Sequence, residues 1–203
     1  PGRQGFAQLR TLVWRDKKAL TGSVVLTIFL LSAIFGNVIS PYDPSDMEFD
    51  MMESPSWLHP LGTDDLGRDL LSRIIVGTQV SLFVGISTVV IALIAGLILG
   101  VLAGYLGGWV DHVIMRYIDL QWAFPNFIIA VYLVAVFGTG RSNVIVAISL
   151  AFVDDFARIA RGMVLSIKEE QYVAAARTVG VSDIRIMWRH ILPNAAAPII
   201  VQA

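Results

Sequence analysis

Three long stretches without any charged residue constrain this chain more than any other feature of its sequence. They lie between Lys18 and Asp43, between Arg73 and Asp111, and between Asp119 and Arg141. Each is longer than the roughly 20 apolar residues that a helix needs to cross the hydrocarbon core of a bilayer. Charged residues make up 15% of the chain, whereas a soluble domain carries about a quarter. The sequence therefore predicts an all-α, polytopic membrane protein.

Composition excludes several functional classes. The formal net charge of −1 gives no sign of nucleic-acid binding, and the absence of cysteine excludes disulfides and thiolate metal sites. The three histidines lie far apart in the chain and suggest no metal centre: His59, His112 and His190. No Ser-His-Asp or paired-carboxylate pattern indicates catalysis. We therefore predict that this chain is not an enzyme and holds no metal or cofactor.

The charges that flank the first apolar segment predict its orientation. Residues 1–19 form a basic tail whose one acidic residue is Asp16, and residues 20–39 form the first predicted transmembrane helix. This helix is too long for the apolar core of a signal peptide, so we interpret it as a retained anchor. Residues 40–75 form a linker in which acidic residues outnumber basic ones. Because basic flanks stay in the cytoplasm, the N-terminus is predicted inside and the linker outside.

Transmembrane helices two to four are predicted within residues 76–167. The second runs over about 80–106, and its Gly96, Gly100 and Gly104 fall on one helix face at four-residue spacing. One interpretation is that these glycines let another helix approach closely, as small residues do in lipid. The other is that they are merely tolerated in a membrane helix, and the sequence leaves both open.

The remaining predicted helices are less regular. The third is expected over about 112–137, where Pro125 removes one backbone donor and should kink the helix. The fourth begins near Val144 and soon meets charged residues. Residues 194–203 turn apolar again and are expected to be the truncated start of a fifth helix. We thus expect about four transmembrane helices and the beginning of another.

Two acidic residues, Asp154 and Asp155, fall inside the predicted fourth helix. A carboxylate at the bilayer centre costs ~2.5–3.5 kcal/mol on insertion scales, so such residues are functional candidates that could line a solute path. The alternative is local pairing, because Arg158 follows Asp154 by four residues and Asp155 by three. Asp119, near one end of the third helix, is expected to face water or Arg116.

Residues 62–67 have the Gly-x4-Gly spacing of a phosphate-binding loop. However, Arg68 and Asp69 follow in place of Lys and Ser or Thr, and Asp64 and Asp65 would repel phosphate. We therefore exclude nucleotide binding at this loop. The charged residues are expected instead to pin the linker to the helix that follows, or to a partner subunit.

Residues 168–193 predict a pair of short helices. Good helix formers run from Glu169 to Thr178, and Gly180 suits a left-handed cap. Ser182 suits the N-cap of a second helix, which should end at Pro193. The apolar face of that helix is predicted to comprise Ile184, Met187, Trp188 and Ile191. Because helices of about ten residues are marginal alone in water, the pair must dock on the membrane bundle or on a partner.

This segment resembles the EAA loop of binding-protein-dependent ABC permeases, whose pattern is E-A-A-x3-G-x9-I-x-L-P. The matching residues are Ala175, Ala176, Gly180, Ile191, Leu192 and Pro193. Two positions depart from the pattern, since Ala174 replaces the usual glutamate and His190 the usual first isoleucine. Glu169 and Glu170, one turn earlier, are expected to replace part of the lost polar contact.

Other motifs are similar to the dipeptide, oligopeptide and nickel branch of these importers, and to the second of its two membrane subunits. The string from His59 to Asp69 resembles the segment before the second span of that branch. Ala123-Phe124-Pro125 in the third helix fits it as well, as do Ala157, Arg158 and Arg161 in the fourth. Residues 153–156 depart from the branch, where a tryptophan and small or proline residues are expected.

The resemblance implies the type I ABC importer transmembrane fold, with about six helices in the intact subunit, in the bacterial inner membrane. It implies several partners: a homologous permease subunit, two ATP-binding subunits that hold ATP and Mg, an extracytoplasmic solute-binding protein, and membrane lipid. In such permeases the EAA loop is the coupling helix that fits a groove on the ATPase. The implied coupling residues here are Glu169, Glu170, Ala174, Ala175, Ala176, Gly180, Ile191, Leu192 and Pro193. Candidates for the solute path are Asp154, Asp155 and Pro125.

The expected function is therefore that of a transmembrane permease subunit of an ATP-driven importer for peptides or related small solutes. An ion-gradient-driven secondary transporter or channel is the alternative from another class, and a membrane scaffold without a solute path is a third. Peptide, glutathione and nickel importers share these motifs, so the sequence leaves the solute open.

Overall fold

The computed structural model describes residues 16–195, which form helices joined by turns and by one long linker. The helices are α1 Lys17–Ile39, α2 Leu70–Leu106, α3 Gly108–Trp122, α4 Asn126–Phe137, α5 Arg141–Ala151, α6 Val153–Ile167, α7 Gln171–Thr178 and α8 Asp183–Ile186. A π-helical turn, Met187–Ile191, follows α8. Within residues 16–195 the one β feature is an isolated bridge between Thr63 and Asp69. The predicted all-α class is confirmed.

By length and composition, α1 and α2 can each cross a membrane, and α3 with α4 form a third span only when taken together. α5 has 11 residues, so it reaches about 17 Å, roughly half of the ~30 Å hydrocarbon core. Two or three of the four predicted spans are thus supported. Residues 1–15, most of the basic tail, and residues 196–203, most of the predicted fifth helix, lie outside the described residues.

α2 begins at Leu70, well before the predicted start near residue 80 and inside the predicted linker. The cause is a cap: Asp69 Oδ2 accepts a hydrogen bond from Ser72 N at 2.8 Å, and Asp69 O accepts one from Arg73 N at 3.1 Å. An aspartate at the N-cap satisfies amide groups that would otherwise lack a partner, and its charge complements the helix dipole. The cap lets the helix include Arg73, which the hydropathy pattern had assigned to the linker.

The predicted kink at Pro125 is a complete break between two helices. α3 ends at Trp122 and α4 begins at Asn126, with a bend of 92° between them. Proline lacks the amide proton of a continuous helix, and it disfavours helical geometry at the residue before it, Phe124. The Phe124 amide instead donates back into the last turn of α3. The prediction of a single helix with a kink over residues 112–137 is therefore wrong, because two separate helices occupy this range.

The predicted fourth helix is divided as well. α5 ends at Ala151 and α6 begins at Val153, with Phe152 at φ −112° between them. At its N-terminal end, α5 follows a turn in which Gly138 adopts φ +93°, and it forms a hairpin with α4. Asn143 Nδ2 donates to Phe137 O at 2.5 Å and so caps the end of α4. α4 and α5 thus pack as a short helical hairpin ahead of α6.

The glycines of α2 form the close contact between α2 and α6. A Cβ placed on Gly96 would lie 2.5 Å from Phe156 Cβ, and one on Gly104 would lie 2.9 Å from Val164 Cβ. Real Cβ atoms do not approach other carbon atoms so closely, so any side chain here would force the helices apart. The interpretation that this glycine face lets another helix approach is confirmed, and its partner is α6.

Two ion pairs join α3 to α6. Arg161 contacts both carboxylate oxygens of Asp111, from Nε at 2.5 Å and from its terminal nitrogen at 2.6 Å. Arg158 reaches Asp119 Oδ1 at 3.3 Å. Bidentate arginine–carboxylate pairs fix geometry as well as charge, so the first pair sets the register of α6 against α3. Asp119 was predicted to face water or Arg116; it is exposed, but its ionic partner is Arg158.

The chain divides between Phe83 and Val84 into two compact units, and the linker belongs to the first. The carboxylate of Asp64 accepts hydrogen bonds from Leu66 N at 2.9 Å, from Arg68 N at 3.0 Å and from Arg68 Nε at 2.8 Å, and it also contacts Arg73 of α2. The prediction that linker charges pin it to its following helix is confirmed for these residues, whereas Asp65 is exposed.

In the linker, nearby charge and hydrogen bonding lower the pKa values of two acidic groups, Asp64 and Asp69. Burial by itself raises the pKa of Asp64, but the Arg68 guanidinium and backbone amides outweigh it and hold this pKa far below its usual range. Burial also raises the pKa of Asp69, and again hydrogen bonds, from Ser72 and His59, lower it by more. His59 Nδ1 lies 3.0 Å from Asp69 Oδ1. The linker is therefore built on ionised carboxylates.

Candidate functional site

The segment 168–193 contains a helix, a tight turn and a second, distorted helix. α7 ends in a Schellman motif, in which Gly180 N donates to Arg177 O at 3.0 Å and Val181 N donates to Ala176 O at 3.1 Å. Gly180 has φ +78°, in the left-handed region that favours glycine. The predicted left-handed cap is confirmed. Ser182 occupies the predicted N-cap position of α8, but its side chain makes no capping hydrogen bond.

The second helix does not end at Pro193, as predicted, but passes through a π-helical turn. Residues 187–191 form the wider turn, and helical geometry continues over residues 192–195. Pro193 has no amide proton for the carbonyl four residues earlier, and its ring crowds that carbonyl. A π-bulge relieves this conflict while keeping the helix direction. Asn194 Nδ2 donates to His190 O at 2.6 Å and replaces part of the lost bonding.

An apolar core holds the two helices together and against α2 and α6. Its buried members are Tyr105, Val164, Val173, Ala176, Ile186 and Ile191. The predicted apolar face is correct for Ile191 and for Met187, which packs against the core. It is wrong for Ile184 and Trp188, which are each 67% exposed. Ile186 points inward instead, so the buried face of α8 is offset from the predicted one.

The exposed side of the segment carries most of the nine implied coupling residues. Ala174 and Ala175 are exposed, as are Glu169 and Glu170 at the start of α7. Gly180 and Pro193 are also exposed and Leu192 is half-buried, whereas Ala176 and Ile191 belong to the core. The structure therefore separates the predicted coupling residues into an accessible group and a group that shapes the segment.

Three large apolar side chains of the segment are solvent-accessible: Val179 is 78% exposed, and Ile184 and Trp188 are 67% exposed. Ala174 and Ala175 are also exposed, so their small side chains leave the backbone of α7 open to close approach. Large exposed apolar side chains make this segment a candidate contact surface.

Three contacts join the segment to the C-terminal end of α2, and the sequence analysis did not identify them. Tyr105 OH donates to Asp183 Oδ1 at 2.5 Å, and Lys168 Nζ donates to Gly104 O at 3.1 Å. The Arg177 guanidinium lies 5.2 Å from the centre of the Tyr105 ring, a cation–π distance. The two hydrogen bonds join residues 78 and 64 positions apart, so no local pattern could reveal them.

The acidic pair inside the second unit splits into two environments. Asp154 is fully buried, and neither carboxylate oxygen has a hydrogen-bond partner among residues 16–195. Asp155 is half-buried and lines a cavity of about 350 Å³. The other walls of this cavity are mostly apolar: Val84, Gly85, Thr88, Val89, Ala92, Ile148, Phe152 and Phe156.

Of the two interpretations of Asp154 and Asp155, the one in which they pair locally with Arg158 is wrong. Arg158 points to α3, where it contacts Asp119 and lies 4.0 Å from the ring centre of Trp122. Tertiary packing of α6 on α3 therefore outweighs the local i,i+3 and i,i+4 pairing, which is worth only a few tenths of a kcal/mol.

Pro125, the third predicted path residue, is exposed at the break between α3 and α4 and does not line the cavity beside Asp155. Among residues 16–195, no three His, Asp or Glu side chains are placed to hold a metal ion. The arrangement offers a cavity with one carboxylate and an exposed helical segment.

The membrane-length apolar helices of this all-helical chain define a polytopic membrane protein. The model of the family described as binding-protein-dependent transport system inner membrane component matches residues 96–203, more than half of the chain. The chain belongs to this family. A second model, the N-terminal TM domain of oligopeptide transport permease C, matches residues 12–60. The predicted family and its type I importer membrane fold are confirmed.

Individual relatives support the same branch. The chain is 40% identical over 204 aligned residues to a dipeptide transport system permease protein of Alkalihalophilus pseudofirmus, covering 100% of this chain and 66% of the relative. It is 43% identical over 189 residues to a glutathione transport system permease protein of Shigella flexneri, covering 92% of this chain and 62% of the relative. The chain thus spans just under two thirds of the length of these curated relatives.

Proposed function

We propose that this chain is a transmembrane permease subunit of an ATP-driven importer in the bacterial inner membrane, with its N-terminus and residues 168–193 in the cytoplasm. Its solutes are peptides or related small molecules, the classes printed in the names of the dipeptide and glutathione relatives. The observation that carries this proposal is the segment 168–193. In a chain of this permease family, it is a helix pair with a capped turn, on which two alanines and three large apolar side chains are exposed.

The outward residues suit a protein partner. Burying a side chain such as Val179, Ile184 or Trp188 against a partner contributes about 1.5–3 kcal/mol each. Ala174 and Ala175 let a partner backbone approach α7 closely, and Glu169 and Glu170 supply polar contacts near the position where Ala174 replaces the usual glutamate. We infer that the partners are two ATPase subunits, and we call residues 168–193 the coupling segment from here on.

The coupling segment acts as a lever in this mechanism. ATP and Mg bind to the partner ATPase subunits, whose closure moves the segment as one body because Gly180 fixes the angle between α7 and α8. The movement switches the bundle between outward-facing and inward-facing states. A homologous permease subunit completes the pathway, a solute-binding protein delivers solute from outside, and lipid surrounds α1, whose apolar surface is largely exposed.

For the solute path we favour Asp155 over the other two candidates. Its carboxylate lines the cavity of about 350 Å³, where it can attract a cationic group such as a peptide ammonium. Asp154 is buried away from that cavity, and Pro125 contributes by breaking the helix that leads to α4. Asp154 and Pro125 thus shape the path, whereas Asp155 contacts the solute.

The alternative function is an ion-gradient-driven transporter. One observation favours it: Asp154 is buried without a hydrogen-bond partner among the described residues, a setting in which a carboxylate binds and releases a proton during transport. This alternative requires uptake that continues without ATP and that changes when Asp154 becomes asparagine. Uptake that stops without ATP excludes it.

Site-specific cross-linking tests the proposed function. Residues 1–203 contain no cysteine, so Ala175→Cys introduces the single thiol of this part of the subunit in the intact transporter. We expect this exposed position to cross-link to the ATPase subunits through a short bifunctional reagent. Ala176→Cys is the matched control. Ala176 is the next residue on the same helix but is buried in the core, so a cysteine there should not react. Cross-links to neither ATPase subunit from Ala175, or equal yields at both positions, would contradict the docking role.

A further inference from the structure

We propose that Tyr105 is a positioning residue that locks both helices of the coupling segment to the C-terminal end of α2. The proposal deepens the proposed function and rests on it. Tyr105 is 9% exposed and belongs to the core that the segment shares with α2 and α6. Neither the EAA pattern nor the hydropathy pattern singles it out.

Tyr105 contacts the coupling segment on both sides of its turn. The hydroxyl donates to Asp183 of α8 at 2.5 Å, and the ring faces the Arg177 guanidinium of α7 at 5.2 Å. Arg177 and Asp183 flank Gly180 in the chain, so one side chain of α2 holds both arms of the turn. Hydrogen bonds to a charged acceptor are roughly twice as strong as neutral ones, which suits a contact that must transmit movement.

Two further features make the connection stiff. Lys168 Nζ donates to Gly104 O, at the end of α2 where helix carbonyls lack intrahelical partners and the dipole favours a cation. Directly behind, the glycine face of α2 lies against α6, which leads into the coupling segment. A displacement of the segment must therefore carry the last turns of α2 and α6 with it. Tyr105 is the residue of α2 whose side chain contacts both helices of the coupling segment.

The chemistry gives a specific expectation for Tyr105→Phe. The variant keeps the ring, and with it the apolar core and the Arg177 contact, but loses the hydroxyl that bonds Asp183. Loss of a hydrogen bond to a charged group corresponds to about a tenfold change in an equilibrium. We expect the solute imported per ATP hydrolysed to fall by about threefold to tenfold, while subunit amount stays the same.

The test uses the intact transporter in proteoliposomes, with uptake and ATP hydrolysis measured together. Asp183→Ala should reproduce the effect of Tyr105→Phe, and the double variant should add nothing, since both remove the same bond. Tyr117→Phe is the matched control, because that tyrosine is exposed on α3. Unchanged coupling in Tyr105→Phe, or fully additive effects in the double variant, would overturn the proposal.

The outcome separates this inference from the proposed function. If Ala175→Cys cross-links to the ATPase subunits but Tyr105→Phe couples normally, docking stands and the positioning role of Tyr105 is wrong. If that cross-link fails in the otherwise native subunit, the proposed function is wrong and the role of Tyr105 with it. Reduced coupling with the cross-link intact in Tyr105→Phe supports both, because a purely structural defect would also lower cross-link yield and subunit amount.

Discussion

Left-handed glycines shape both the long linker before α2 and the coupling segment after α6, yet different interactions hold the two regions together. In the linker, buried carboxylates carry the structure: Asp64 collects backbone and arginine donors, and Asp69 caps α2. In the coupling segment, an apolar core centred on Ile186 and Ile191 carries it, and most charged side chains lie at the surface. Charged side chains of the linker join it to α2, whereas most charged side chains of the coupling segment and three of its large apolar ones are exposed.

The comparison shows two ways in which one chain holds a segment against α2, through ionised carboxylates and through an apolar core. A carboxylate that accepts several hydrogen bonds holds its donors in a defined geometry, and its stabilising effect depends on its being ionised. The stability of an apolar core does not depend on ionised groups, so the charged side chains of such a segment can remain on its outer surface. The predictions below test this difference from the largest expected effect to the smallest.

The largest effect is expected for Gly67→Ala in the linker. Gly67 has φ +70°, and a Cβ there would clash with the carbonyl oxygen of Phe49. Backbone strain of ~1–2 kcal/mol and a forced backbone shift together should cost about 2–5 kcal/mol of local stability. Hydrogen exchange of linker amides in the purified transporter measures it. Gly77→Ala, at a helical position with open space, is the control and should change nothing.

Gly180→Ala provides the counterpart in the coupling segment. Gly180 has a similar φ of +78°, but nothing lies within 4 Å of an added Cβ. The cost should therefore be strain alone, about 1–2 kcal/mol, together with reduced uptake per ATP and normal membrane insertion. Gly162→Ala, a helical glycine with equal space, is the matched control. A larger local loss for Gly180→Ala than for Gly67→Ala would reverse the comparison.

An intermediate effect is expected for Asp69→Ala. The substitution removes the N-cap of α2 and the partner of His59, and loss of a capping aspartate costs about 0.5–2 kcal/mol. Amides of the first turn of α2 should exchange faster, by about threefold to thirtyfold. Asp65→Ala, which removes an exposed neighbouring charge, should leave them unchanged. Equal effects of the two substitutions would refute the capping role.

The smallest effect is expected from mild acid. The pKa values of Asp64 and Asp69 both lie below the ordinary 3.8 in the folded linker. Groups with a lowered folded-state pKa stabilise the fold above their unfolded pKa, and this stability is lost as the pH falls through the lowered values. Protection factors in the linker should be constant from pH 7 to about pH 5 and decline below about pH 4. Amides of the apolar core around Val181 serve as the reference, and a parallel decline there would contradict the comparison.

How much the sequence predicted depends on whether a feature is local. Nearby residues predicted the apolar segments and the left-handed cap at Gly180. The same kind of local pattern gave the close contact at the glycine face of α2, and the pinning of the linker to its following helix, each as one of two interpretations. The pairing of Asp154 with Arg158 was predicted from the same kind of local rule and was wrong. A local pair is worth a few tenths of a kcal/mol, so the contacts of Arg158 with Asp119 and Trp122 on α3 override it.

The breaks at Pro125 and Phe152 show a second limit. Proline indicates that a helix is disturbed but not by how much, because neighbouring packing decides between a kink and a 92° bend. At Pro193 the outcome is the reverse, since a π-turn absorbs the conflict and the helix continues. The same residue type therefore gives a break in one place and a bulge in the other.

The sequence by itself determined that the chain is an apolar helical membrane protein of an importer family. The long uncharged segments and the motif spacing that indicate this are properties of residues close together in the chain. Only the tertiary structure decided which face of the coupling segment is buried, that Asp155 rather than Asp154 lines a cavity, and that Tyr105 meets Asp183. These contacts join residues far apart in the chain, and their energies come from packing and desolvation that arise only when the helices assemble.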